Sequence, residues 1–205
     1  MAKRAETPGL RLLIVGRRLL LRNPGSADAS AIARALRDRK VTRPIGLPAR
    51  YSIHDAREFI RRSKQGLKDG PKCNASIILR RSGERIGGCG LDQIRLDHRN
   101  AHVGYWIARP HWGNGYASEA ASLLIAAGFR ELGLHRVPTG VFPDNPRSNR
   151  VLRRLGFRTE GRARQHGLVD GQYRDLILFG LVRGGFRPFR EAGDNRHGFG
   201  DRCEG

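Results

Sequence analysis

The chain has 205 residues, of which 39% are hydrophobic, and a formal net charge of +20. A chain of this length buries a core of its own as one domain, and no apolar run approaches the roughly 20 residues of a membrane-spanning helix. The three cysteines, Cys73, Cys89 and Cys203, match no zinc or disulfide spacing. We therefore expect free thiols, no metal, no membrane partner and a cytoplasmic protein.

The positive charge lies on the body of the chain. Residues 1–16 contribute +2 and residues 184–205 contribute no net charge, which leaves +18 for the residues between them. Such a field attracts polyanions, for example RNA, ribosomes or a phosphorylated cofactor. An arginine-rich genome produces the same excess, and the sequence leaves both explanations open.

The first half of the chain predicts strands around two helices. Residues 1–16 read as an N-terminal extension, and residues 17–22 as a first strand. The apolar spacing after Ser26 predicts a first helix, and Ser52 and Asp55 resemble a capping box that opens a second. A loop over residues 65–74 and three strands follow, the strands over residues 75–80, 86–94 and 101–108.

The second half alternates helices and strands. Residues 116–132 predict a helix buried against a sheet, because apolar side chains lie on nearly all of its sides. Pro138 lies in a short strand over residues 137–141 and predicts that this strand is splayed or partly unpaired. The remaining predicted elements are a helix over residues 149–155, a hairpin of residues 157–166 and 172–181 across Asp170-Gly171, and a disordered tail over residues 184–205. The domain therefore spans residues 17–183.

The most informative segment is a glycine-bearing turn, Trp112-Gly113-Asn114-Gly115-Tyr116-Ala117. It joins a predicted strand directly to a predicted helix, so consecutive backbone N–H groups and the positive end of the helix dipole converge there. This arrangement predicts an anion site. The segment lacks the Lys-Ser/Thr of a P-loop and the third glycine of a dinucleotide fingerprint. A plain structural turn explains it equally well when it is considered alone.

Four blocks resemble the GNAT superfamily of N-acetyltransferases, in the branch of the ribosomal-protein N-terminal acetyltransferases RimJ and RimL. The turn is similar to the family's pyrophosphate loop, and residues 145–157 are similar to the branch's Asn-x-x-Ser…Leu-Gly-Phe block. The opening Leu19–Arg22 and the hairpin Asp170–Asp175 agree with them. The resemblance covers roughly residues 17–182. It implies an α/β fold whose mixed, mostly antiparallel sheet is flanked by helices and splays into a V between two central parallel strands.

The resemblance also implies an acyltransferase that moves acetyl from acetyl-CoA to a primary amine by direct attack on the thioester. The V would lie between residues 101–108 and 137–141. The implied cofactor contacts are the backbone of Trp106, Ile107 and Ala108 for the pantetheine amides, Trp112, Gly113, Asn114, Gly115, Tyr116 and Ala117 for the pyrophosphate, and Asn145 for the pantetheine arm. Arg150 and Arg154 either reach the phosphates or form a solvated helix face.

Two catalytic candidates follow from the resemblance. Many members carry an acidic Tyr seven residues after the Asn, where this chain has Leu152, and the acid proposed for the branch corresponds to Ser148. Ser148 is equally expected as a helix cap. Many members carry a Glu base where this chain has His102, whose imidazole has an ordinary pKa of about 6.5 and suits proton transfer. An exposed strand histidine, with water as the base, is the alternative.

No readable motif identifies the acceptor. The positive body disfavours strongly cationic acceptors and favours a protein N-terminus on or near a ribosome. A different class remains open, namely a basic RNA- or ribosome-binding module with an inactive acetyltransferase-like domain. Aromatic residues, at 7% of the chain, form no RNA-binding motif that supports it. Both a monomer and a homodimer are compatible with the sequence.

Overall fold

The computed structural model describes residues 12–48, 50–69 and 72–190. One mixed sheet of eight strands forms its centre. Strands β1 to β8 span Leu13–Val15, Leu19–Arg22, Cys73–Leu79, Arg85–Arg95, Asn100–Ile107, Arg136–Val141, Arg158–Val169 and Gln172–Val182. Their order across the sheet is β1-β2-β3-β4-β5-β6-β8-β7. All neighbours are antiparallel except β5 and β6, which are parallel, so the predicted mixed, mostly antiparallel sheet is confirmed.

Helices cover both faces of this sheet. Helices α1 to α5 span Ala29–Leu36, Arg39–Thr42, Ile53–Asp69, Tyr116–Glu131 and Pro146–Arg154. Alternate residues of β5 face opposite sides. Val103 and Ile107 join the apolar cluster that contains Leu124 and Ile125 of α4, whereas Trp106 packs against the cluster formed by α1, α2 and α3. Helices α4 and α1–α3 therefore lie on opposite faces.

Two local signals in the sequence predicted their structures correctly. Asp55 Oδ2 accepts the Ser52 N–H at 2.7 Å and Ser52 Oγ accepts the Asp55 N–H at 3.2 Å, which is the expected capping box. The hairpin between β7 and β8 turns at Asp170 and Gly171, whose φ angles are 52° and 75°. Positive φ at both residues is what a two-residue type I′ turn requires.

Other predicted bounds differ from the structure. The loop over residues 65–74 is wrong, because α3 continues to Asp69 and β3 begins at Cys73. The predicted helix over residues 149–155 begins earlier, at Pro146. Asn145 caps this helix and proline suits its first position. Residues 13–15, assigned to the extension, form the edge strand β1 against β2.

The C-terminal segment packs against α4 as far as the structure describes it. The rings of Phe186 and Phe129 meet edge to face with centroids 5.6 Å apart, and the Phe189 N–H donates to Ser122 Oγ at 2.9 Å. Residues 184–190 therefore differ from the predicted disorder. The rest of the predicted tail and residues 1–11 lie outside the described residues, so the domain bounds stay predictions. In the described ranges, no helix has the length and apolarity that crossing a membrane requires.

Candidate functional site

Strands β5 and β6 pair near their starts and then diverge. Their register pair is Asn100 with Arg136. Beyond it, Thr139 Oγ1 donates to Val103 O at 2.9 Å and bridges the opening gap. Strand β6 keeps its pairing with β8 along its length, Pro138 included. The splay predicted from Pro138 and from the resemblance is present between these two strands.

The backbone of β5 offers only some of its groups to this gap. The Ala108 N–H donates to a β4 carbonyl at 2.8 Å, and Trp106 is paired with β4 in the same register. By alternation, the N–H groups of Tyr105 and Ile107 face the splay. Trp112 Nε1 already donates to Ile107 O at 2.7 Å. The Tyr105 amide groups and the Ile107 N–H are therefore open to the splay, whereas the N–H groups of Trp106 and Ala108 face β4, and the predicted cofactor contacts of Trp106, Ile107 and Ala108 stay predictions.

The turn from β5 to α4 presents a row of free amides. Gly113 and Gly115 have φ of 84° and 75°, in the left-handed region that favours glycine. The backbone N–H groups from Gly113 to Ser118 donate to no acceptor among the described residues. They include the first-turn donors of α4, which begins at Tyr116. The Trp112 N–H is not free, because it donates to a carbonyl of the preceding 3-10 turn at 3.1 Å.

The Arg18–Glu119 ion pair stabilises this turn. Arg18 Nε lies 2.6 Å from Glu119 Oε2, and Arg18 Nη1 donates to Asn114 O at 3.1 Å. The guanidinium also stacks on the ring of Tyr116, with 4.9 Å between Cζ and the ring centroid. Glu119 is 5% exposed, so its carboxylate neutralises Arg18 and the start of α4 instead of facing a substrate.

The residues that carry the free amides, apart from Asn114, line a cavity of about 330 Å³. Its lining includes these predicted site residues: Trp106, Ile107, Trp112, Gly113, Gly115, Tyr116, Ala117, Asn145, Ser148, Arg150 and Arg154. Three other predicted residues, His102, Ala108 and Asn114, do not line it. Among the lining residues that the structure describes, none is Asp or Glu, whereas Lys40, Arg147 and two further arginines are basic. We call this the basic cavity.

Lys40 and Arg147 were missed by the sequence analysis. Arg147 places its guanidinium over the indole of Trp112, 4.2 Å from the ring centroid, and so connects α5 to the turn. Its neighbours Asn145 and Ser148 in the sequence block were a signal that could have found it. Lys40 lies on α2, far in sequence from the turn at Gly113 and from α5, and no local pattern points to it.

Asn145 is the cap of α5. Its Oδ1 accepts the Ser148 N–H at 3.1 Å, and its Nδ2 donates to Ser148 Oγ at 3.2 Å and to Pro44 O at 3.4 Å. Both amide hydrogens are thus engaged within the protein, and the contact of Asn145 with the pantetheine arm stays a prediction. Because Asn145 caps the helix, Ser148 does not, and the Ser148 hydroxyl keeps its own hydrogen to donate.

A second cavity, of about 500 Å³, meets the basic cavity. Tyr105, Trp106, Asn145 and Ser148 line both. The walls of the second cavity are mostly apolar and come from α1, α3, the strands β4 to β6 and the β7–β8 hairpin, with Ile32, Leu36, Tyr51, Phe59, Phe142, His166 and Leu176 among them. We call it the apolar cavity. A Cβ built on Gly104, in its floor, meets nothing within 4 Å.

Trp106 stands between the two cavities and is held by a buried polar chain. Arg85 stacks on its indole at 4.9 Å. Burial lowers the pKa of Arg85 to about 10, so Arg85 remains charged at neutral pH. Arg85 Nε donates to Ser76 Oγ at 3.0 Å, and Ser76 Oγ donates to the carboxylate of Asp28 at 2.8 Å. These contacts, from Arg85 through Ser76 to Asp28, fix the position of Trp106 between the cavities.

His102 lines neither cavity. It faces Asp92 across β4 and β5, close to the end of β5 where that strand still pairs with β6. A base must come within hydrogen-bond reach of the proton that it takes. The position of His102 therefore does not favour contact with an amine at the junction of the two cavities, although its role stays a prediction.

Comparison with known proteins places these features in one family. A family model described as an acetyltransferase (GNAT) domain matches residues 18–158. The N-acetyltransferase YoaA of Bacillus subtilis is 37% identical over 172 residues, which are 81% of this chain and 94% of YoaA. The ribosomal protein uS5-alanine N-acetyltransferase of Escherichia coli is 35% identical over 97 residues, which are 47% of this chain and 50% of that relative.

A solved structure agrees with the sequence relatives. Mycobacterium smegmatis RimJ in complex with CoA-disulfide superposes with a TM-score of 0.78 at 26% identity. The match covers 86% of this chain and 90% of that one.

Proposed function

Because the chain belongs to the GNAT acetyltransferase family and is an N-acetyltransferase, we propose that it acetylates the α-amine of a protein N-terminus. The observation that carries the proposal is the row of free amides from Gly113 to Ser118 at the start of a buried helix. All of these residues except Asn114 line a cavity that has basic side chains and no carboxylate among its described residues. A diphosphate matches this arrangement in both charge and hydrogen bonding.

The lining of the basic cavity suits the phosphates and the pantetheine arm of coenzyme A. The amides from Gly113 to Ser118 hold the pyrophosphate, and Arg150 and Arg154 supply charge for the phosphates. The free backbone groups of Tyr105 would pair with an amide of the pantetheine arm. Acetyl-CoA supplies the acetyl group as a thioester, which the acceptor amine attacks directly.

The chain's own groups then need to do little chemistry. The amine and the acetyl carbon meet at the junction of the two cavities. Holding two reacting groups in this alignment makes a large contribution to the rate enhancement. The Ile107 N–H is the donor for the oxyanion, and Ser148 offers its hydrogen toward the leaving sulfur. An α-amine with a pKa of about 8 is partly neutral near pH 7, so water takes its proton without a dedicated base.

The apolar cavity suits a small, mostly uncharged N-terminal segment. Among the described residues that line it, Asp92 is the single carboxylate. One carboxylate cannot neutralise the several positive charges of a polycationic acceptor. The Escherichia coli relative is named for acetylating an alanine of a ribosomal protein, which supports an acceptor of this kind. The relatives described above give no support to an inactive RNA-binding module. A cytoplasmic location and a monomer or homodimer remain expectations.

An acetyl-CoA consumption assay tests the proposal. We expect turnover with peptides that begin with a small apolar residue, and little or none with spermidine or aminoglycosides. Gly104→Val separates acceptor binding from cofactor binding, because a side chain at this position enters open space in the apolar cavity and Gly104 does not line the basic one. This variant should bind acetyl-CoA with unchanged affinity in calorimetry and lose turnover. Equal activity of Gly104→Val, or acetylation of polyamines alone, contradicts the proposed acceptor.

A further inference from the structure

The apolar cavity opens to solvent beside a histidine. Exposed residues of a cavity lining lie at its mouth, and the exposed ones among the described lining residues are Gly46, Gly104, Gly140 and His166. Three of these four are glycines, which offer no side chain. The imidazole of His166 has no hydrogen-bond partner among the residues that the structure describes. It is therefore the side chain at the mouth that is available to a polar ligand.

An irregular segment of β7 gives His166 this position. Ala163 pairs with Leu176, and Gly167 pairs with Arg174, so three residues of β7 lie opposite one residue of β8. Paired residues share a face of the sheet, and so do residues two apart along a strand. Ala163 and Gly167 therefore lie on the face of Leu176, which lines the apolar cavity. In a regular strand His166 would lie on the opposite face, but here it lines the cavity.

A carboxylate holds the irregular segment in place. Gln165 has a φ of 48°, a left-handed value that is unfavourable for residues other than glycine. Asp175 Oδ1 accepts the Gln165 N–H at 2.8 Å, and Asp175 Oδ2 accepts a hydrogen bond from Arg162 Nε at 2.6 Å. Bulges of this kind redirect side chains next to active sites, and strained residues persist where the surroundings fix them. The conformation around Gln165 therefore indicates a functional role for the side chain that it redirects.

A peptide acceptor requires a polar partner at the mouth. Its first side chain would occupy the apolar cavity with its amine at the junction, so its first peptide group passes toward the mouth. That group carries one N–H donor and one carbonyl acceptor, and taking them out of water without partners is unfavourable. A neutral imidazole has one donor and one acceptor nitrogen and matches either group.

We propose that His166 is a specificity-determining residue whose imidazole hydrogen-bonds the first peptide group of the acceptor, and that the irregular segment at Gln165 places it there. This inference rests on the proposed function and deepens it. The enzyme should favour peptide N-termini over alkylamines of similar size, because an alkylamine has no peptide group for His166 to bind.

Steady-state kinetics with a tripeptide that begins with alanine test the contact. His166→Ala should raise the KM for the peptide roughly tenfold, the effect of one lost hydrogen bond, with kcat within about twofold and the KM for acetyl-CoA unchanged. His166→Gln keeps a donor and an acceptor and should restore most of the affinity. Asp175→Ala releases the Gln165 N–H and should raise the peptide KM to a similar degree, and the double variant should raise it no further. His98→Ala, at a histidine whose side chain is 62% exposed and lines neither cavity, is the matched control and should equal the wild type.

An ester analogue of the peptide isolates this contact from changes in the fold. Replacing the first peptide bond by an ester removes its N–H and weakens its carbonyl as an acceptor. The ratio of the ester KM to the peptide KM should be roughly fivefold larger in the wild type than in His166→Ala. Equal ratios in the two proteins, or a wild-type peptide KM in His166→Ala, overturn the proposal.

A binding measurement separates this proposal from the proposed function. In NMR spectra of the protein saturated with CoA, the imidazole resonance of His166, identified by its loss in His166→Ala, should shift when the peptide is added. The resonance of His98 should not shift. If the wild type acetylates small amines but no peptide, the proposed function fails. A shifted His166 resonance then still supports the peptide contact, and an unshifted one overturns it.

Discussion

The Arg18–Glu119 ion pair should stabilise the fold and the coenzyme loop together. The side chain of Glu119 is 7% exposed and that of Arg18 is 25% exposed. Arg18→Met keeps the apolar stem but leaves the buried carboxylate without its charged partner, and such losses cost about 3–5 kcal/mol. In this variant Glu119 still accepts the backbone N–H of residue 18 at 3.0 Å and still interacts with the positive end of the α4 dipole. We therefore expect a loss of unfolding free energy at the lower end of that range, about 3 kcal/mol.

The two partners should differ in a defined way. Glu119→Gln leaves the charge of Arg18 partly in water, so its cost should be smaller, about 1–2 kcal/mol. The double variant removes both charges and should cost less than the sum of the two single variants by about 1–2 kcal/mol. Urea unfolding gives these free energies, with Arg130→Met as the control. Arg130 lies on the same helix with a side chain 70% exposed and pairs with Glu131, so it should cost under about 0.5 kcal/mol.

The same variants report on the loop. Arg18 Nη1 holds the Asn114 carbonyl, so its loss frees the turn whose amides face the basic cavity. We expect Arg18→Met to weaken CoA binding about tenfold in calorimetry, which corresponds to about 1.4 kcal/mol. Additive unfolding energies, or a CoA affinity identical to that of the wild type, would refute this account of the pair.

Gly113→Ala should weaken CoA binding about tenfold, because its φ of 84° costs an L-residue about 1–2 kcal/mol; unchanged binding in calorimetry contradicts the free-amide site. His102→Ala should keep kcat within about twofold, since the side chain lines neither cavity, and a pH–rate profile that loses a limb near neutrality would restore His102 as the base. For Asp28, burial raises the pKa, but hydrogen bonds from Arg22, Gly25 and Ser76 together lower it. Its contribution to stability is therefore complete above the ordinary carboxyl pKa and is lost as the pH falls through the lowered value. Asp28→Asn should cost about 2 kcal/mol at pH 7 and flatten the acid limb of urea-unfolding stability; an unchanged limb would show that Asp28 carries no such linkage.

Signals that act within a few residues were readable from the sequence. The capping box at Ser52, the type I′ turn at Asp170 and the glycine turn at Gly113 depend on side chains and φ angles of neighbouring residues. Pro138 marked the strand that parts from its parallel neighbour, because a residue without an N–H suits a missing ladder. The family blocks supplied the pair of central parallel strands, which no local signal contains.

Bounds failed where polar composition concealed regular structure. Residues 65–69 are polar and include glycine, so they read as a loop, yet they complete α3. The edge strand over residues 13–15 forms because it pairs with β2. Three residues are too few for the sequence pattern to predict a strand.

The sequence by itself determined a glycine turn before a buried helix, since the glycines, the helix start and the apolar faces are local properties of the chain, and its four blocks determined the resemblance to the GNAT family. Only the tertiary structure decided which groups are free to act. In the folded protein the Asn145 side chain caps α5, and the N–H groups of Tyr105 and Ile107 face the splay. His102 lines neither cavity, and Lys40 lines the basic one. Hydrogen-bond saturation and cavity lining depend on partners that are distant in sequence, and no local pattern records them.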